Sequence, residues 1–145
     1  IITTMETSLF GIGGSIETYA KNALDWVKRE LVPKEAIYCP ALNDFVYLSN
    51  NKVKHTIMQK KYDQQNNFTE DNIAIVGALE QIIENAEVRY VRSDRKGIQD
   101  IQEIVMLIVT VFLNDNKREV ELLIMKIYNH EEEEDRYHFY NHVLL

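Results

Sequence analysis

Ile104-Val105-Met106-Leu107-Ile108-Val109-Thr110-Val111-Phe112-Leu113 is the stretch whose reading decides the fold. It is apolar but for one threonine and rich in β-branched residues. It is too short for a membrane-spanning helix, which needs about 20 such residues. A continuous apolar run of this kind predicts a strand covered on both faces. Asn114-Asp115-Asn116-Lys117 then supplies turn residues, and residues 120–128 read as a second long strand. Residues 131–135, four glutamates and an aspartate, read as a charged hairpin tip, and residues 137–144 as a third strand. The chain therefore closes on an antiparallel meander.

Upstream the period changes from two to that of a helix. Ser15 is a candidate N-cap. Ile16, Tyr19, Ala20, Ala23, Trp26, Val27 and Leu31 follow at spacings of three and four, and Pro33 stops the helix. Residues 36–39 and 44–48 read as two short strands around a turn at Pro40, and Ser49-Asn50-Asn51 offers the cap of a helix over 52–61. Residues 62–68 read as a loop. Ile73, Ile75, Val76, Leu79, Ile82 and Ile83 give the next helix a broad apolar face, and residues 88–91 a strand before a turn at 93–97. Residues 1–14 hold Gly11, Gly13 and Gly14 and read as a linker or irregular lead-in. The predicted class is α+β, with N-terminal helices packed on a C-terminal antiparallel sheet. The predicted division is a lead-in and helix over 1–34 and a domain over 35–145.

A chain of 145 residues, 46% hydrophobic, supports a real core. Its net charge of −7 speaks against bulk electrostatic binding to nucleic acid and leaves room for a local basic site. One cysteine, Cys39, excludes an intramolecular disulfide and a multi-cysteine zinc site, which fits a reducing compartment. No signal peptide or transmembrane segment is visible. A chain that begins at Ile1 reads as part of a longer polypeptide or as a trimmed one.

Against the acidic background, residues 51–61 gather Lys52, Lys54, His55, Lys60 and Lys61. On a helix, His55 shares a face with Lys52, Met58 and Gln59. Neighbouring lysines disfavour a second positive charge on an imidazole, so the ring is suited to accept a proton while lysines hold a phosphate. The plainer reading is a solvated helix face. Arg89, Arg92, Arg95 and Lys96 form a second basic cluster. Their alternatives are bidentate phosphate contacts or surface pairs with the many glutamates. On the last strand, alternation puts His138, Tyr140, His142 and Leu144 on one face and Tyr137, Phe139, Asn141 and Val143 on the other. Two histidines and a tyrosine so placed suggest an acid–base set; the alternative is an aromatic cross-strand ladder. Metal binding is the weaker use, for want of a third ligand, and no cofactor is implied. His130 meets the glutamate run and reads as solvated, the run itself as a hairpin tip or a dock for a basic protein. Gly11-Ile12-Gly13-Gly14 lacks the lysine of a phosphate loop, no Gly-x-Ser-x-Gly elbow occurs, and Cys39 reads as core.

Two short strands lead into Val53-Lys54-His55-Thr56. A helix follows with Leu79-Glu80-Gln81-Ile82-Ile83-Glu84-Asn85-Ala86, then two long strands and a closing Phe139-Tyr140-Asn141-His142. This order resembles the small α+β domains of large polyvalent proteins of phages and conjugative elements, and of bacterial polymorphic toxins. Those domains are related in outline to the Barnase–EndoU–colicin–RelE-like ribonucleases. The resemblance covers about residues 36–145 and leaves the helix at 15–31 outside. It implies a metal-independent endoribonuclease in which His55 is base or acid. Tyr140 and a residue of the 89–96 cluster would support the phosphate. His138 or His142 would share the proton transfers, and Lys52, Lys54, Arg89, Arg92, Arg95 and Lys96 are the candidate phosphate ligands. It also implies RNA and an immunity-type protein as partners, in a cytoplasm reached directly or by delivery within a larger protein. The rival reading is a non-enzymatic immunity, accessory or structural module that docks through its acidic surface.

Overall fold

A computed structural model describes residues 3–58, 68–94 and 100–145. Seven strands among the described residues form one mixed sheet: β1 (Thr3–Met5), β2 (Ala36–Cys39), β3 (Asp44–Tyr47), β4 (Glu87–Ser93), β5 (Ile101–Leu113), β6 (Asn116–Asn129) and β7 (Glu134–Leu144). Their order is β1-β5-β6-β7-β3-β2, with β4 also on β5. The expected meander is β5–β6–β7, antiparallel throughout. Two parallel pairings, β1 with β5 and β3 with β7, attach the short N-terminal strands to it, so the class is α+β with a mixed sheet. Asn114 and Asp115 make a two-residue hairpin, both at positive φ (50° and 66°), the geometry whose twist suits two long strands.

Among the described residues there are four α-helices: α1 (Ile16–Trp26), α2 (Asn50–Ile57), α3 (Glu70–Ala74) and α4 (Leu79–Asn85). Ser15 caps α1, Ser49 caps α2 and Thr69 caps α3, each side chain accepting a backbone N–H of the first turn. The helix predicted to start at Thr69 or Asn72 is α3, a 3-10 stretch and α4 in succession, with Ile73, Ile75, Val76, Leu79, Ile82 and Ile83 all buried in the core. The outer end of the helix expected over 52–61 and the loop at 62–67 lie outside the described residues, as does most of the turn at 93–97.

β5 departs from the expected two-sided burial. Val105, Leu107, Val109, Val111 and Leu113 are buried against the helices, whereas Ile104, Met106, Ile108, Thr110 and Phe112 are only half-buried. Met106 stands opposite Leu123 and Ile104 opposite Met125, so these apolar residues shelter one another across strands, while Ile108, Thr110 and Phe112 stand opposite Glu121, Glu119 and Lys117. A continuous apolar run here marks an open apolar sheet face.

The lead-in is also built into the fold. β1 pairs with β5, Met5 and Phe10 are buried, and Tyr19 Oη donates to the Thr7 carbonyl at 2.5 Å. Residues 1–34 and 35–145 contribute to one core cluster: Ala20, Ala23, Val27 and Leu31 join Val53, Ile73, Leu79, Leu107, Leu122 and Phe139.

One-sided burial has a measurable consequence. Leu107→Ala is expected to lower the unfolding free energy by about 2–5 kcal/mol, and Ile108→Ala, on the half-open face, by about 1 kcal/mol. Chemical denaturation of the two variants checks the contrast, and equal losses would contradict it.

Candidate functional site

Thr56 and His142 place α2 on the sheet. His142 is wholly buried. Its Nε2 lies 2.7 Å from the Asn72 carbonyl, which can only accept, so Nε2 carries the proton. Nδ1 then accepts from Thr56 Oγ1 at 2.7 Å, while Thr56 Oγ1 accepts the His142 backbone N–H at 2.8 Å. Asn72 Oδ1 takes the Leu144 N–H at 2.9 Å. One imidazole thus pins the last turn of α2 and the first turn of α3 to β7. Burial pushes its pKa down to about 4, with the hydrogen bond to Asn72 opposing, so the ring is neutral.

This clamp sets Lys52 and His55, one turn apart on α2, beside Tyr140. Lys52 Nζ lies 4.3 Å from the Tyr140 ring centroid, and the His55 and Tyr140 ring centroids are 6.1 Å apart. Val53, Thr56 and Ile57 fill the buried side of the same helix, which leaves Lys52 and Lys54 exposed and His55 partly so. Ammonium, imidazole and phenol converge at the surface, a set able to hold an anion and move a proton.

Strict alternation along β7 does not hold. Ile124 pairs with Phe139 and Leu123 with Asn141, so Tyr140 has no partner on β6. This irregularity lets Phe139, Tyr140 and His142 all serve the helix side. His138 goes to the open face instead, opposite Met125 and 5.7 Å from the Tyr47 ring, where burial and then Arg136 lower its pKa. The structure therefore brings His55, Tyr140 and Lys52 together, puts His142 beneath them and separates His138.

The β4 arginines lie on the open face too. Arg92 stands opposite Ile104, and Arg89 bonds Glu121 Oε1 at 2.8 Å. Arg95 and Lys96 are outside the described residues. His130, exposed at the hairpin end, meets Asp100 Oδ1 at 2.7 Å, and residues 131–134 are exposed as the expected tip. Cys39 is buried, as read, and burial raises its thiol pKa. Among the described residues no group of three or more His, Cys, Asp or Glu side chains could hold a metal. No described helix is long and apolar enough to cross a membrane. A shallow cleft of about 590 Å³ lies elsewhere, between β1 and α4; Glu6 is its sole ionisable liner, and the His55 cluster is not part of it.

Thr56 and Asn72 escaped the sequence reading. Their signal is a small polar residue on an otherwise apolar helix face, between Val53 and Ile57 and beside Ile73. Such a residue needs a buried partner.

A meander with helices on one face and an open apolar face on the other defines the class as a small α+β sheet domain. Residues 14–139 match the sequence model of large polyvalent protein-associated domain 3, and the chain belongs to that family. No curated protein and no solved structure matches the chain. The matched segment includes α1, which the resemblance had left out.

The buried imidazole links stability to pH. Its folded pKa lies below the ordinary value near 6.5, so protonation favours the unfolded chain. Stability is fully present above about pH 6.5 and falls as pH drops toward about 4, by a few kcal/mol in all. Thermal melts across this window check it: His142→Gln, which keeps a donor for Asn72 and cannot titrate, should lose most of that slope.

Proposed function

We propose that this domain binds and cleaves RNA for a large polyvalent protein of a phage or other mobile element, at the cluster of Lys52, His55 and Tyr140. The carrying observation is that α2 is clamped to β7 so that a cation, an imidazole and a phenol meet over one surface point. Lys52 holds the non-bridging oxygens, with Lys54 on the same exposed helix extending the positive field along the backbone. His55 accepts the proton of the ribose 2′-hydroxyl as O2′ bonds to phosphorus. The P–O5′ bond breaks, and Tyr140 protonates the leaving 5′ oxygen, its own proton returning from the His55 imidazolium through solvent. In this scheme His142 supports α2, and His138, Arg89 and Arg92 take no part. The chemistry needs no metal and no cofactor.

The second reading is a non-enzymatic module that docks a basic protein, such as an immunity-type partner. It is favoured by the exposed glutamates at 131–134. The two readings part in one assay. Total RNA incubated with the protein in EDTA should be cleaved, and His55→Ala and Tyr140→Phe should each slow cleavage by about 10²–10⁴-fold while remaining folded. Absence of cleavage by the folded wild-type protein, or equal rates in the His55 variant, would remove the enzyme reading and leave the docking module.

A further inference from the structure

β4 is an edge strand among the described residues. All seven of its residues are exposed, and among the described residues it pairs with β5 alone, so its other side presents backbone N–H and C=O groups with no strand partner there. Strand edges are commonly blunted by proline, by charge or by a bulge; this one carries Glu87, Arg89, Arg92 and a bulge, but it has no proline and exposes Val88 (41%), Tyr90 (43%) and Val91 (49%).

The sequence Glu87-Val88-Arg89-Tyr90-Val91-Arg92 is complementary to itself when read backwards. Laid antiparallel on a second copy, Glu87 meets Arg92, Val88 meets Val91, and Arg89 meets Tyr90, each pairing formed twice about a two-fold axis. Residues directly opposite in an antiparallel pair must point to the same face, and here they do. Glu87, Tyr90 and Arg92 stand opposite Ile108, Met106 and Ile104 of β5 and so share the open face. Val88 and Val91 stand opposite Leu107 and Val105, on the helix side. In a regular strand Glu87 and Arg92 would point apart. The register shift between Val88 and Tyr90 admits Arg89 as an extra residue and brings both ends onto one face. Arg89 bonds Glu121, whose strand position opposite Ile108 is on that face as well. Glu87 and Arg92 have no ion-pair partner among the described residues.

We propose that β4 pairs edge to edge with β4 of a second copy of this chain, joining two sheets into one and extending the open apolar face across both copies. The partner is a second copy because the edge carries its own charge complement at matching distances from the axis. Backbone hydrogen bonds supply the attraction, and the Glu87–Arg92 pairs fix register and direction.

Sedimentation velocity of the full chain, from micromolar to several hundred micromolar, tests this. The wild type should approach twice its 17.0 kDa mass. Arg92→Glu and Glu87→Arg each set like charges opposite one another twice, and each should weaken self-association by about tenfold or more. The double swap Glu87→Arg with Arg92→Glu should restore it, and circular dichroism should show all three folded as the wild type. A wild type that stays monomeric, single variants that associate as well as the wild type, or a double swap that fails to recover would each overturn the proposal. Association abolished by Met106→Lys and indifferent to the charge swaps would place the contact on the open sheet face instead, and would overturn it too.

Discussion

The contact between His142 and Thr56 is the constraint on which the rest of the arrangement depends. A neutral imidazole has one donor and one acceptor, and both are used: Nε2 toward Asn72, Nδ1 toward Thr56. Burial of so polar a group costs free energy unless each hydrogen bond is made, and the mutual bonds of Thr56 Oγ1 with the His142 ring and backbone make them. The geometry admits little slack, because a shift of α2 along β7 would orphan several buried atoms at once. Lys52 and His55 are one turn or less from Thr56 and inherit its position. Whatever the surface cluster does, its precision comes from a histidine that never meets solvent.

The second organising fact is the asymmetry of the sheet. The odd-numbered side chains of β5 from Val105 to Leu113 are buried on the helix side, and Ile104 and Met106 on the other face shelter with Met125 and Leu123 across strands. The two faces then separate two kinds of chemistry. The helix face carries the imidazole–phenol–ammonium cluster; the open face carries apolar residues with Arg89, Arg92, Arg136 and His138 among them. Basic residues that seemed from their number to belong to one phosphate site are thereby divided between two sides of the sheet.

Much of this fold could be read from periodicity. The helix from Ser15, the short strands around Pro40 and the meander all follow from spacing and turn residues. The parallel pairings could not, since nothing local in residues 3–5 or 44–47 names a partner about a hundred residues away. One-sided burial was also hidden, because a mutually sheltered open face and a helix-covered face demand the same apolar residues. At the site, His55 and Tyr140 were legible as chemistry-bearing types. The irregularity at Tyr140 was not: alternation grouped His138 with His142, and one unpaired residue sends them to opposite faces. Thr56 and Asn72 gave only the faint signal of a polar residue in an apolar row.

The central claim is that His142 is a neutral, fully bonded clamp beneath the surface cluster. Nitrogen-15 NMR of its ring at neutral pH tests this most directly. The account predicts a proton on Nε2 that exchanges slowly with solvent, and a bare Nδ1 that accepts from Thr56. A proton on Nδ1, or a ring that titrates like a solvent-exposed histidine, would contradict it.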